Sequence, residues 1–343
     1  MGYKFLKPIT QQSGYHDNFV NYPLQNLVYN NLSNVDIPKV KLYTFSNLYS
    51  DISHLIYPYL YLSETIFNPN KQKIPKQLNI ITGEIKSLPP IPYNQGLISY
   101  FFDGIFLWVG FMSGFYGYQN FATYKTTQEN FDDLIEIFYQ KPHINFNNIV
   151  YNNKSFHLRY QDNANPELVI KNWKSSSVLE TISNFGNQNT NSYNCILDGF
   201  WYACLNYQSQ RSIVKFNLNT YERTYHQPLG NGNFHYNLVS DGKYLWITNG
   251  SSYVYKFDKN FNLILSINLN NPLYYIFFDG KYVITYYSYN HNNIYFINVK
   301  NNSYFTKTTE GYFIGQLFSD GVFIYYNILN TNNVIEIWKE KIL

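Results

Sequence analysis

At 343 residues, 45% of them apolar, the chain is long enough for two average domains or one large all-β domain, and disorder is not expected. Only 14% of residues are charged, net charge is +3, and no basic run exceeds the loose KQKIPK at 71–76, so a phosphate-neutralising nucleic-acid surface is not expected. Polarity comes instead from 48 Asn, and because Lys numbers only 22, AT-rich codon usage alone does not explain the excess. The expected surface is one of amides and phenols, which keep their polarity where carboxylates lose theirs, below about pH 4.

The chain begins MGYKFLKPITQQSGYHDNF, which lacks the apolar core of a signal peptide. Leu6 also breaks the myristoylation pattern, and no stretch of 18 apolar residues predicts a membrane span. Residues 1–38 carry Pro8, Pro23 and many Asn, Gln and Tyr without periodicity, and read as an extended N-terminal arm. An aromatic, nearly uncharged arm gains by burial, so a neighbouring subunit is its expected resting place. VKLYTF at 40–45 then alternates as a half-buried strand does.

From there a unit recurs. HLIYPYLYLSE (54–64) has Tyr57-Pro58 at its centre, and QLNIITGEI follows as a third strand. FFDGIFLWVGF (101–111) comes next, then IVYNNKSFHLRYQ (149–161) with Asn152-Asn153. ILDGFWYACLN (196–206), VSDGKYLWITN (239–249), FFDGKYVITYY (277–287) and FSDGVFIYYNI (318–328) complete the series. Asp103-Gly104, Asp198-Gly199, Asp241-Gly242, Asp279-Gly280 and Asp320-Gly321 each stand between runs of period-2 aromatic and β-branched residues. That is a hairpin signal, because Gly accepts the positive φ of a tight turn and Asp caps nearby backbone. The Asp residues are therefore turn residues rather than a catalytic or metal-binding set. A third strand follows 18, 16, 17 and 17 residues beyond Asp198, Asp241, Asp279 and Asp320, at Phe216, Phe257, Phe296 and Ile337. A fourth follows in NLILSINL (262–269) and SYFTKTT (303–309).

Four antiparallel strands every forty or so residues predict an all-β, seven-bladed β-propeller, or a six-bladed one if the copy at 54–64 is not a blade. The last copy has no chain left for a fourth strand. The strand at 40–45 is expected to complete it and close the ring, making 39–343 the propeller and 1–38 its arm. The repeat DGKYLWIT…VYKFD resembles the YVTN/NHL-like family of β-propellers, whose blades follow an Asp-Gly hairpin with Trp or Tyr in the second strand. Trp108 and Trp246 hold that place five residues after the Asp, with Ile284 and Tyr325 in other copies. No WD40-type GH…WD pair is present, and the resemblance implies fold more than function.

Chemistry-bearing residues are sparse. Glu222, Arg223, His226 and His235 cluster in YERTYHQPLGNGNFHYN, where a general acid and base could sit, but a solvated connection is the expectation. His157 and Arg159 share a strand face without a partner in sequence. No catalytic, metal or cofactor site is expected. Cys195 and Cys204 fall diagonally across one hairpin and read as buried free thiols. Four sequons, at Asn31, Asn153, Asn249 and Asn301, are N-glycan acceptors if the chain meets that machinery.

An exterior-type surface without an export signal is what a virion protein shows, and the amino-acid usage suggests an archaeal virus from acidic water. The expected role is a non-enzymatic structural or attachment protein on a virion or cell exterior. Its partners would be other copies of itself or other shell proteins, with no nucleic acid. Alternatives are a carbohydrate-binding propeller, whose Tyr and Trp would stack on surface glycans, and a glycan hydrolase or lyase.

Overall fold

The computed structural model describes residues 39–343 apart from 46–50, 57, 68–70, 88–97, 103–106, 114–119, 127–135, 141–148, 153, 160–166, 173–176, 189–193, 208–209, 230–235, 288–291, 310–311 and 331–333. The arm at 1–38 and the Asp103-Gly104 turn therefore lie outside the described residues. The described residues divide into two compact units, one of residues 39–140 and 312–343, the other of residues 149–309.

In the first unit, β2 (Asp51–Ile56), β3 (Tyr59–Phe67), β4 (Lys71–Asn79) and β5 (Ile85–Ser87) form one antiparallel sheet in chain order. QLNIITGEI is not a single strand, as the sequence suggests, but the end of β4, a turn and the start of β5. Asn79 Oδ1 accepts from Ile81 N (2.9 Å) and Thr82 N (3.1 Å), and Gly83 takes φ +77°, which reverses the chain. β4 tolerates Pro75 because Pro75 faces Ser63 of β3, while β5 pairs only with Lys76 to Leu78. A second sheet holds β6 (Ile98–Phe102), β7 (Leu107–Ser113), β8 (Asn120–Thr126) and β9 (Glu136–Gln140).

The third sheet of this unit unites the two ends of the chain. β27 (Tyr312–Ser319), β28 (Phe323–Leu329) and β29 (Ile335–Lys341) pair in order, and β1 (Lys39–Thr44) pairs antiparallel with β29. Its core is shared with the β2–β5 sheet: Phe318, Phe323, Tyr325, Ile335 and Ile337 pack with Leu55, Leu60, Leu62 and Leu78.

The described residues of the second unit form four sheets. β10 (Ile149–Tyr151), β11 (Lys154–Arg159), β12 (Glu167–Asn172) and β13 (Val178–Ile182) form the first. In the next, β14 (Asn187–Gln188) and β15 (Asn194–Leu197) both pair with β16 (Phe200–Tyr207), followed by β17 (Gln210–Asn217) and β18 (Arg223–His226). Then come β19 (Asn237–Ser240), β20 (Leu245–Thr248), β21 (Tyr253–Phe257) and β22 (Leu263–Asn268). The last has β23 (Tyr275–Phe278), β24 (Tyr282–Tyr286), β25 (Asn293–Asn298) and β26 (Tyr304–Thr308). Apolar clusters fill the spaces between successive sheets, and the first strands touch, β15 with β19 and β19 with β23.

The described Asp-Gly turns are not all alike. At Asp198 (φ +51°) and Gly199 (φ +75°) both residues are left-handed and join Leu197 directly to Phe200, a two-residue hairpin. At Asp241, Asp279 and Asp320 only the glycine is left-handed, and the Asp side chain makes the turn. Asp241 Oδ1 accepts from Lys243 N and Tyr244 N at 2.9 and 2.7 Å. Asp279 and Asp320 repeat this at 2.7 to 2.9 Å.

Candidate functional site

Several carboxylates of the described residues are used by the scaffold. Asp241 Oδ2 accepts from Trp246 Nε1 at 2.8 Å, and Asp320 Oδ2 accepts from Tyr325 OH at 2.7 Å, each donor five residues on. Burial pushes the Asp320 carboxyl up, although these donors and the neighbouring Lys339 oppose it. Asp198 instead meets Lys259 at 2.9 Å.

Glu222, Arg223 and His226, which the sequence allowed as an acid-base group in a connection expected to be solvated, do not converge. Arg223 Nη2 donates to Ser183 O at 3.2 Å and its guanidinium lies 5.4 Å from the Phe185 ring centre, on the side toward β13. His226 lies on the other side, its ring 4.4 Å from that of Phe261 beyond β21. Burial, with Lys215 adding to it, holds the His226 pKa below the ordinary value. Glu222 accepts from Thr220 Oγ1 at 3.2 Å within a turn, and His235 lies outside the described residues. Among the described residues no group of three or more His, Cys, Asp or Glu could hold a metal ion. No helix among them is long and apolar enough to cross a membrane.

Cys195 and Cys204 are free and buried on one face of the β15–β16 hairpin, toward the β19–β22 sheet. Burial raises both pKa values, that of Cys204 to about 11, so neither is a ready thiolate. Of the sequons, Asn31 and Asn153 fall outside the described residues. Asn249 is 9% exposed and its Oδ1 accepts from Ser251 N (3.2 Å) and Oγ (2.6 Å), so its amide is not presented for modification. Asn301 is exposed, with its Oδ1 accepting from Ser303 N at 3.0 Å.

What does gather is neutral. Where β20 passes to β21 and β22 to β23, the chain carries no Asp, Glu, Lys or Arg from Asn260 to Phe278. Leu269 N and Leu273 N donate to Ser252 O and Ser251 O, each at 2.9 Å, tying the two connections together. Asn237 Nδ2, at the start of β19, donates to Tyr274 O. Tyr274 is 40% exposed, its ring 5.0 Å from that of Tyr287; beneath them Tyr275 and Tyr286 stack at 4.9 Å and 9°. Tyr253, 37% exposed, flanks the group and its OH accepts from Asn268 Nδ2 at 3.4 Å. A phenol surface backed by carboxamides can stack on an apolar ring face and hydrogen-bond hydroxyls. Periodicity does not reveal this cluster, because it sits on connections. The run without charge from 260 to 278 is its sequence signal.

No protein-family model matches the chain, and no curated protein matches it by sequence. Among solved structures it is similar to BamB from Moraxella catarrhalis, with a TM-score of 0.50 and 9% identity over 82% of this chain and 81% of that one. At such identity the likeness concerns fold alone. Together with the successive four-stranded antiparallel sheets, it makes the chain a β-propeller.

Proposed function

We propose that this β-propeller is a non-enzymatic structural or attachment protein on the exterior of a virion or cell, working by protein–protein assembly. In finer detail, it is a seven-bladed ring with YVTN/NHL-like repeats, latched by β1 on β29. The reading is carried by one observation: Asp241 and Asp320 serve turns and Asp198 meets Lys259, while the connections present uncharged Tyr and Asn. Such a surface suits lasting contact in changing pH better than catalysis. Labelling intact particles or cells with a membrane-impermeant amine reagent tests it. Modification of the exposed lysines without permeabilisation is expected; modification only after lysis would overturn the reading.

A second reading is favoured by the Tyr274–Tyr287 pair alone, a carbohydrate-binding propeller. A reproducible glycan-array signal, lost in Tyr274→Ala with the melting curve unchanged, would support it. No signal on the array would remove it.

A further inference from the structure

Outer strands of sheets present unpaired backbone groups, and proteins protect them with charge, proline or bulges against pairing with other chains. Among the described residues six of the seven outer strands carry charge: Lys39 and Lys41 in β1, Lys86 in β5, Glu136 in β9, Glu180 in β13, Arg223 in β18 and Lys307 in β26. β22, Leu-Ile-Leu-Ser-Ile-Asn, carries none. It also lacks Pro and Gly, and its residues favour extended structure.

Its geometry increases the exposure. A bulge sets Phe257 opposite Leu263 and Lys256 opposite Leu265, leaving Ile264 without a partner. Leu263 and Ile264 are consequently 55% and 53% exposed. β13 has an equivalent bulge exposing Val178 and Leu179, but Glu180 follows immediately and guards that edge. Beyond its own bulge β22 runs regularly from Leu265 to Asn268, with Ser266 and Asn268 exposed. Among the described residues no strand pairs with its free edge.

We propose that β22 is the edge on which a second copy of this chain docks, strand against strand. The inference rests on the assembly role proposed above and names its surface. The occupant follows from charge: a strand bearing Lys or Glu would bring charge without counter-charge to a neutral edge, whereas β22 is its own neutral complement. A twofold axis at Ser266 sets β22 antiparallel to its mate, opposing Leu265 to Ile267 and Ile264 to Asn268. Both free edges are then satisfied, and two four-stranded sheets become one of eight.

Ser266→Cys in the full chain tests this directly. Directly opposed residues of an antiparallel pair lie about 4.5–5.5 Å apart at Cα, within reach of a disulfide. Cys195 and Cys204 are buried and do not compete. Mild oxidation is expected to yield a covalent dimer, whereas Thr306→Cys, exposed on the outer strand β26, yields none. Sedimentation gives an independent measure: wild type runs as a dimer, Ile264→Lys/Ser266→Lys runs as a monomer with an unchanged melting curve, and Thr306→Lys runs as wild type. A dimer that persists in the double-Lys variant without cross-linking at 266 would overturn the β22 interface while leaving assembly standing. A wild-type monomer at every concentration would overturn the self-docking altogether.

Discussion

Asp241 and Asp320 each use one carboxylate oxygen to build a turn and the other to receive a donor from the second strand, Trp246 or Tyr325. The pair five residues apart is thus a unit, and the aromatic of the repeat is there partly for its N–H or O–H. Tyr325→Phe removes the donor and leaves Asp320 one partner short in a partly buried position. A loss of about 1.5–3 kcal/mol is expected, since a hydrogen bond to a charged group is at stake; denaturant unfolding measures it. Ile284 holds the same place after Asp279 and offers no hydrogen bond, so Ile284→Val should cost only about 0.5–1.5 kcal/mol, a methylene's worth of packing. Asp320 also has a pH consequence. Its folded pKa lies above the unfolded value, so the folded state binds the proton more readily, and this residue favours folding as pH falls through its folded pKa.

At the scale of the strand, β1 shows how polar side chains hold an end in place. Glu336 accepts from Lys41 Nζ (3.2 Å), Asn330 Nδ2 (3.0 Å) and Trp338 Nε1 (3.1 Å). On β1's other side, Tyr43 OH donates to Glu64 at 3.4 Å and accepts from Lys76 Nζ at 3.1 Å, while Lys76 and Glu64 form an ion pair. β1 is therefore tied to its own sheet and to the β2–β5 sheet. Burial would raise the Glu336 carboxyl, but its three donors hold it below the usual carboxylate range. The contribution of Glu336 is present above the unfolded pKa and is lost as pH falls through the depressed folded value. Glu336→Gln should lower the melting temperature at neutral pH and narrow its gap from wild type in acid; a constant gap would contradict the linkage. Lys41 is half exposed, so the ion pair with it contributes little of this.

Much of this scale is legible in sequence. Period-2 runs around Asp-Gly, Asn152-Asn153 and Tyr57-Pro58 mark the first hairpins, and Phe216, Phe257, Phe296 and Ile337 fall in the third strands β17, β21, β25 and β29. Less legible is why the copy at Asp198 differs. There the pair flanking the turn, Leu197 and Phe200, packs toward the β19–β22 sheet, so Ala203, five residues after the Asp, faces the β10–β13 sheet, while Trp246 and Tyr325 face the sheet that follows theirs. A one-residue slip turns every side chain over, and composition cannot register that. The turns between third and fourth strands were also hidden. Asn79, Asn217, Asp258 and Asn298 cap them through Oδ1, which accounts for part of the Asn excess in structural terms.

Across the whole molecule, the proposed ring is only as strong as its weakest junction, and that junction is the one made by the two chain ends. Removing residues 1–44 strips β1 from β29 and leaves a long edge carrying Ile335 and Ile337. The truncated chain should unfold at lower denaturant and scatter light at concentrations where wild type stays clear. The most direct test of the latch is a staple. Val40 and Lys339 are opposite partners across β1 and β29, a spacing that a disulfide can bridge. Val40→Cys/Lys339→Cys is expected to oxidise within one chain and raise the melting temperature, with the gain abolished by reductant. If the pair stays reduced under oxidation, or links only between chains, β1 does not latch its own ring and the account fails.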